Sequence, residues 1–241
     1  MRLAGAVVGC LLVVPACIQA APAGAAATPR VAAHQETVAL LASATVRDGP
    51  APDAKVVAQV PRSRPMTGAR TVLPLLGQSI DSTGGSWLNV RLPGRALKGP
   101  TPPPSGWISA ASTRTSATDW HIVVNRGARS VTVYRNGQKM HRYQAIVGKK
   151  STPTPTGEFF VEENVRLPGG RPGAPFALAT SARSSVFQEF EGGPGQIALH
   201  GLTNVGGTLG TAVSHGCVRL SNRSISWLAP RIKPGDPVTI V

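Results

Sequence analysis

From residue 119 onward the chain alternates β-favouring runs with turn residues, and this alternation constrains the fold more than any other feature. The predicted strands cover residues 120–124, 130–134, 140–147, 157–161, 176–179, 196–200 and 237–241. Between the second and third runs, the pair Asn136-Gly137 is a strong hairpin signal. One short helix is expected at 222–229, just before Pro230. The sequence therefore predicts a mainly β domain over residues 119–241.

A second, smaller unit precedes this domain. Its short β-favouring runs lie at 37–40, 55–60, 71–73, 87–92 and 106–108, separated by Gly, Pro and Asp turns. That spacing predicts a small barrel. The order of a turn-rich middle, then the run around Trp87, then Gly106-Trp107-Ile108 resembles a bacterial SH3-like wall-binding module over residues 36–112. Residues 113–118 are polar, and we predict that they form a hinge.

The N-terminal segment, residues 1–27, has the layout of a secretory signal peptide. It has a positive charge at Arg2, an apolar run over residues 3–14, and small residues near Ala20 for cleavage. The apolar run is shorter than the roughly 20 residues that a membrane-spanning helix needs. We therefore expect an exported, envelope-associated protein. Residues 14–17 loosely resemble a lipoprotein cleavage box, which leaves lipidation of Cys17 as an alternative to simple secretion.

Cysteine usage points to a reactive thiol. Cys10 and Cys17 fall in the predicted signal segment, so cleavage past Ala20 leaves Cys217 as the one cysteine of the exported chain. Such a protein cannot form an internal disulfide, and its thiol is a buried spectator, a link between two chains or a reactive group. The neighbouring residues His200 and His215 favour a nucleophile with a base close by, because an imidazole can withdraw the thiol proton.

The charge balance limits the partners to be expected. Lys and Arg number 25 against 11 Asp and Glu, giving a formal net charge of +14, which favours binding to polyanions. The basic residues are scattered, aromatic residues make up 5% of the chain, and no nucleic-acid recognition motif is visible. We expect anionic cell-wall polymers as partners and no nucleic acid. A GC-rich genome is the alternative explanation of the charge. We also expect a monomer without a cofactor.

Four sequence blocks together resemble the L,D-transpeptidase (YkuD-type) family. They are Val147-Gly148-Lys149, Thr152 to Phe159, Ile197 to Gly201 and Ser214 to Asn222. They follow one another in the family's order and span residues 119–241 nearly end to end. The resemblance implies a β-sandwich catalytic domain of the L,D-transpeptidase type. It also implies peptidoglycan chemistry, in which a thiolate attacks a stem peptide, expels D-alanine and passes the acyl group to a side-chain amine.

The same resemblance implies roles for individual residues. Cys217 matches the nucleophile, His200 the general acid/base and Gly201 the backbone carbonyl that orients His200. We expect backbone N–H groups near Gly216 and Cys217 to face the oxyanion. His215 is predicted either to line the site in a catalytic role or to orient its loop in a structural one. The predicted substrate-binding residues are Ser214, Arg219 and Tyr143. For Arg219, a second interpretation is that it fixes the loop to a carbonyl, and for Tyr143 that it packs within a strand.

Other functions remain open at this point. His200, His215 and Cys217 could ligate zinc in a wall hydrolase, although ligands only one residue apart fit a zinc site poorly. A wall-binding protein with an inactive enzyme half is a second alternative, which the intact pair of His200 and Cys217 disfavours. An L,D-carboxypeptidase or a transferase that anchors proteins to the wall would use the same acyl-enzyme. The sequence does not decide among water, an amine and a protein lysine as the acceptor.

Overall fold

The computed structural model describes residue 31 and residues 33–241. The predicted signal segment, with Cys10 and Cys17, lies outside the described residues. The described chain forms a seven-stranded sheet, an eight-stranded sheet and a small two-stranded sheet. It contains one α-helix, which is short. Within the described ranges, no helix has the length and hydropathy of a membrane span. The prediction of a mainly β protein is confirmed.

The first sheet is built by the N-terminal half of the chain. Its strands are β1 (Gln35–Leu40), β2 (Ala44–Arg47), β3 (Val56–Val60), β4 (Val72–Ile80), β5 (Ser86–Arg91), β6 (Ser105–Ser109) and β7 (Thr113–Thr118). They lie in the order β3-β2-β6-β5-β4-β1-β7. Alternate residues such as Val38, Leu40 and Val90 point into a common core and are fully buried. The SH3-like character of this unit stays a prediction.

The hinge predicted at 113–118 is wrong. These residues form strand β7, which pairs antiparallel with β1 over its full length, from Thr113 opposite Leu40 to Thr118 opposite Gln35. The segment is polar because most of its side chains face solvent. An edge strand with one exposed face needs few apolar residues, so its composition resembles that of a linker. The two halves of the chain are therefore joined by a strand of the first sheet that runs almost directly into the next domain.

The second sheet carries the C-terminal half. Its strands are β8 (Trp120–Asn125), β9 (Ser130–Arg135), β10 (Gln138–Gln144), β12 (Gly157–Arg166), β13 (Phe176–Arg183), β14 (Gln196–His200), β16 (Val218–Arg219) and β17 (Pro237–Ile240). They lie in the order β10-β9-β8-β17-β12-β13-β14-β16. The sheet curls, because Ile146, just after β10, bridges Arg219 at the other edge. The small sheet pairs β11 (Val147–Gly148) with β15 (Ala212–Ser214) in parallel.

Local signals place the turn and the helix where the sequence predicts them. Asn136 and Gly137 both have positive φ, 50° and 72°, as a two-residue hairpin turn requires. Helix α1 spans Asn222–Leu228, and Ser221 is its N-cap, accepting a hydrogen bond from the Ser224 N–H. The helix buries Ile225 and Leu228 against the curled sheet. It closes one side of the hydrophobic core of the C-terminal half.

The two halves share a buried junction. Phe160 of β12 is 1% exposed and belongs to the hydrophobic core of the N-terminal sheet. Further along β12, after Val161, the side chains of Glu162 and Glu163 are also fully buried. Glu162 forms ion pairs with Arg64 from the N-terminal half and with Arg183 of β13. Glu163 accepts hydrogen bonds from the Met66 and Thr67 backbones and from the Thr67 hydroxyl. The junction is thus both apolar and ionic.

Candidate active site

Cys217 lies on the loop between β15 and β16, directly beside β14. Strand β16 pairs in parallel with β14, with Val218 opposite Leu199 and Arg219 opposite His200. This register holds the thiol against the β14 backbone. Cys217 Sγ accepts a hydrogen bond from the Ala198 N–H at 3.4 Å and lies 3.9 Å from the Gln196 carbonyl oxygen. The residue as a whole is partly exposed.

His200, at the end of β14, is fixed by its backbone surroundings. Its Nδ1 lies 2.8 Å from the carbonyl oxygen of Gly201. A carbonyl only accepts, so Nδ1 carries the proton and Nε2 of the neutral ring is the basic nitrogen. Gly173 packs directly on the ring: its φ is +82°, and a Cβ there would lie 2.8 Å from Nδ1. Only glycine fits this position, and the contact between His200 and Gly201 is the one that the family resemblance implies.

The electrostatics of the pair favour neutral groups at rest. Burial raises the pKa of the Cys217 thiol, and the Ala198 N–H and the Arg219 charge offset this only in part. Burial also lowers the pKa of His200, partly offset by the hydrogen bond to Gly201 and reinforced by Arg219. Among the described residues, the sulfur hydrogen-bonds to the β14 backbone and not to the His200 ring. The described contacts therefore bind both groups to backbone atoms, and burial favours the neutral form of each.

Ser214 was predicted to bind substrate, and the structure contradicts this. Its side chain is completely buried. Its hydroxyl donates to the Cys217 carbonyl oxygen at 2.6 Å and accepts from the Gly216 N–H at 3.2 Å. A buried hydroxyl with both roles occupied cannot reach a ligand. The Gly216 N–H, predicted to face the oxyanion, is likewise engaged inside the loop. Ser214 thus shapes the turn that presents Cys217.

Two threonines that the sequence analysis did not assign hold this turn from the other side. Thr154 is fully buried, donates to the Gly216 carbonyl oxygen at 2.7 Å and accepts from the Gly148 N–H at 2.9 Å. Thr152 donates to the Ser214 carbonyl oxygen at 3.1 Å. The alternation of threonine and proline over 152–155 is the signal that could have found them. Proline cannot donate, so the threonine side chains provide the hydrogen bonds.

His215 is exposed and lies against two aromatic rings. The ring centroids of Phe187 and Phe190 each lie 6.0 Å from that of His215. Both phenylalanines belong to the segment 184–195 between β13 and β14. His215 therefore lines the rim of the site, beside Cys217, and contacts a neighbouring loop there. Whether it also takes part in the reaction stays a prediction.

Arg219 serves the second of its two predicted roles in this structure. Its Nη1 donates to the Val205 carbonyl oxygen at 2.7 Å and to the Gly206 carbonyl oxygen at 3.1 Å. It fixes the loop between β14 and β15 to the catalytic strands. Its positive charge also lowers the pKa of both Cys217 and His200, although burial is the larger influence on each. Binding of a substrate carboxylate by Arg219 stays a prediction.

Tyr143 lies in an aromatic cluster on β10 and α1. Its ring stacks on His141 with centroids 5.6 Å apart and meets Trp227 edge-on at 6.3 Å. Burial raises the pKa of its hydroxyl. These contacts match the strand-packing interpretation, and the substrate-binding role stays a prediction. In the described part of the chain, no group of three or more His, Cys, Asp or Glu side chains is arranged to hold a metal ion.

Comparison with known proteins identifies the family. The model of the L,D-transpeptidase catalytic domain (YkuD) matches residues 119–240. The YkuD protein of Bacillus subtilis is 37% identical over 121 residues, which are 50% of this chain and 65% of that protein. L,D-transpeptidase 1 of Mycobacterium tuberculosis is 29% identical over 131 residues, 49% of each chain. The chain thus matches less than two thirds of the length of each.

A solved L,D-transpeptidase in complex with imipenem matches 65% of this chain and 91% of its own, with a TM-score of 0.41 and 21% identity. The family model covers half of the present chain, including the strands that carry His200 and Cys217. The chain belongs to the family of the L,D-transpeptidase (YkuD) catalytic domain.

Proposed function

We propose that the protein is a peptidoglycan L,D-transpeptidase that works through a thioester on Cys217. The observation that carries this proposal is the arrangement of Cys217, a partly exposed residue whose sulfur lies against β14, with His200, whose Nδ1 is engaged by Gly201. The donor is a tetrapeptide stem that ends in D-alanine after diaminopimelate. The acceptor is the side-chain amine of diaminopimelate in a second stem, which gives a 3-3 cross-link.

In the first half-reaction, His200 Nε2 takes the proton of the Cys217 thiol while the sulfur attacks the carbonyl carbon before D-alanine. The carbon–nitrogen bond then breaks, and His200 returns the proton to the departing amine. In the second half-reaction, His200 takes a proton from the incoming amine, which attacks the thioester carbonyl carbon. The carbon–sulfur bond then breaks, and His200 returns the proton to the sulfur, which restores the thiol. A neutral starting pair suits this sequence, because His200 must accept a proton in both halves.

The same acyl-enzyme gives one of three products, depending on which acceptor attacks it. An amine gives a cross-link, water gives an L,D-carboxypeptidase, and a protein lysine gives a wall-anchored protein. We place the amine first, on the family to which the chain belongs. We further propose that the protein is exported and acts at the cell wall, where its net charge of +14 favours anionic wall polymers.

Intact-mass spectrometry tests the proposal. The purified protein is mixed with a stem tetrapeptide, with and without a second peptide that carries a free diaminopimelate amine. We expect an adduct on Cys217 equal to the peptide minus D-alanine, and a cross-linked dimer only with the acceptor. A carbapenem should also add its mass to Cys217, and EDTA should prevent neither adduct. Turnover without any covalent adduct, or turnover abolished by EDTA, would contradict the mechanism.

A further inference from the structure

The segment 184–195 lies beside the candidate active site, where it contacts His215. It leaves β13 after Arg183 and enters β14 at Gln196, two residues before the strand position that contacts Cys217 Sγ. Phe187 and Phe190 from this segment contact the exposed ring of His215. Burial is the main cause of the raised pKa of Cys217, and the negative charge of Glu191 raises this pKa slightly further. The conformation of this segment therefore decides what lies beside the thiol.

One arginine from the N-terminal half holds this segment. The guanidinium of Arg95 donates to four of its backbone carbonyl oxygens: Nη1 to Gln188 at 3.2 Å and Pro194 at 2.5 Å, and Nη2 to Ser184 at 3.1 Å and Phe187 at 2.9 Å. The four acceptors lie near the start, the middle and the end of the segment. Such a fork closes the segment into a loop with a defined shape.

Arg95 is itself anchored to the ionic junction. Its carbonyl oxygen accepts from Arg183 Nε at 2.9 Å, and the preceding Gly94 N–H donates to Glu162 at 2.9 Å. Gly94 lies so close to β13 that a Cβ would be 2.3 Å from the Ser181 carbonyl oxygen. Glu162 also accepts from the Gln196 side chain at 3.0 Å. The junction thus fixes both Arg95 and the point where the segment enters β14.

We propose that Arg95 is a positioning residue for catalysis, through which the N-terminal half shapes the substrate cleft of the C-terminal half. It holds the segment 184–195 so that Phe187 and Phe190 form a wall beside His215 and Cys217. The inference rests on the proposed function, since it assigns this wall to the binding of the peptide donor. It makes the N-terminal half a part of the active-site architecture.

The test compares Arg95→Ala and Arg95→Lys with the full-length parent protein. We expect kcat/KM for Cys217 acylation by a stem tetrapeptide to fall by about 10- to 100-fold in Arg95→Ala, with most of the change in KM. A lysine has three donors on one nitrogen and cannot span four carbonyls, so Arg95→Lys should restore only part of the loss. Alkylation of Cys217 by iodoacetamide, which needs no cleft wall, should stay within about twofold of the parent.

Arg91→Ala is the matched control. Arg91 also lies in the N-terminal half and donates to a backbone carbonyl of the other half, that of Glu158, but it does not contact 184–195. Its acylation rate should equal that of the parent. Hydrogen exchange of the 184–195 amides should rise in Arg95→Ala and not in the control.

Each outcome decides the inference. Equal peptide acylation in Arg95→Ala and the parent would overturn it, and so would a parallel fall in acylation, alkylation and melting temperature, which would mark Arg95 as merely structural. An equal loss in Arg91→Ala would also overturn it. A parent protein that forms no peptide adduct at all would instead reject the proposed function. The two failures are therefore distinguishable.

Discussion

The interdomain junction is a fully buried polar site and the candidate catalytic pair is a half-buried one, and the ionisable groups of the two sites have different partners. At the junction, Glu162 pairs with two arginines, Arg64 and Arg183. At the active site, Cys217 and His200 hydrogen-bond to backbone groups, and burial shifts both pKa values toward the neutral forms. Charges that are buried with partners join two domains, whereas groups buried without opposite charges stay ready to exchange a proton.

Of the two sites, the active site should show the largest effect of a substitution, and that effect is on the rate of acylation. Cys217→Ser should lower the rate of acyl-enzyme formation by about 10⁴-fold or more, because a hydroxyl is a far weaker nucleophile near neutral pH. The free energy of unfolding should stay close to that of the parent, since the sulfur makes only weak hydrogen bonds. Mass spectrometry and urea unfolding measure the two effects. Unchanged turnover would reject the mechanism.

A substitution at the junction should instead act on stability. Glu162→Gln leaves Arg183 buried without its carboxylate partner and leaves Arg64 only its longer pair with Glu163 at 3.9 Å, so the free energy of unfolding should fall by about 3–5 kcal/mol. Asp119→Asn is the matched control, because the pair between Asp119 and Arg135 is half-exposed and its loss should cost at most about 1 kcal/mol. Urea denaturation of the three proteins measures the difference. Equal costs for the two variants would show that the junction charges are not effectively buried.

The neutral state of the catalytic pair predicts a pH dependence. The pKa of the Cys217 thiol is raised and that of His200 is lowered, so few thiolates form near pH 7 in the free protein. Iodoacetamide alkylation should therefore keep rising with pH beyond about 8.5, the usual thiol pKa. A preformed thiolate–imidazolium pair would instead give a plateau from acid to neutral pH, and this result would contradict the assignment.

The same measurement of alkylation against pH can be made on His200→Gln. Without the base, alkylation near pH 7 should fall relative to the parent, and the difference should vanish as the thiol ionises at alkaline pH. Peptide acylation should fall by about 10²- to 10⁴-fold, since it needs proton transfer in both directions. Identical alkylation rates in the parent and the variant at every pH would separate His200 from the thiol.

The smallest effect is expected at a buried carboxylate that lacks the arginines of the junction. Asp236 accepts a hydrogen bond from the Lys233 N–H at 2.9 Å, and burial raises its pKa to about 7. The folded state then holds a proton that the unfolded state releases, so stability should decline as pH rises from about 4 to about 7. Asp236→Asn should reduce this decline by about 1–3 kcal/mol, measured by urea unfolding across that pH range. An unchanged slope would contradict the shift.

Local signals in the sequence were sufficient for several of the elements. The Asn136-Gly137 turn, the helix that begins after Ser221 and the strand 196–200 depend on short-range geometry, and each lies where it was predicted. The residue types at Cys217 and His200 limit the chemistry in the same way. The hinge at 113–118 failed because an edge strand and a linker have the same polar composition, and only the partner strand β1 distinguishes them.

The sequence by itself determined a mainly β chain that carries a cysteine and a histidine in the family's motif. Only the tertiary structure decided which polar residues are buried or bonded to distant parts of the backbone. Ser214 is buried and fully bonded, Thr154 holds the Cys217 turn, and Arg95 reaches four carbonyls about 90 residues along the chain. Such contacts depend on distances between segments far apart in sequence. A polar residue looks the same in the sequence whether it faces water, a ligand or a buried carbonyl.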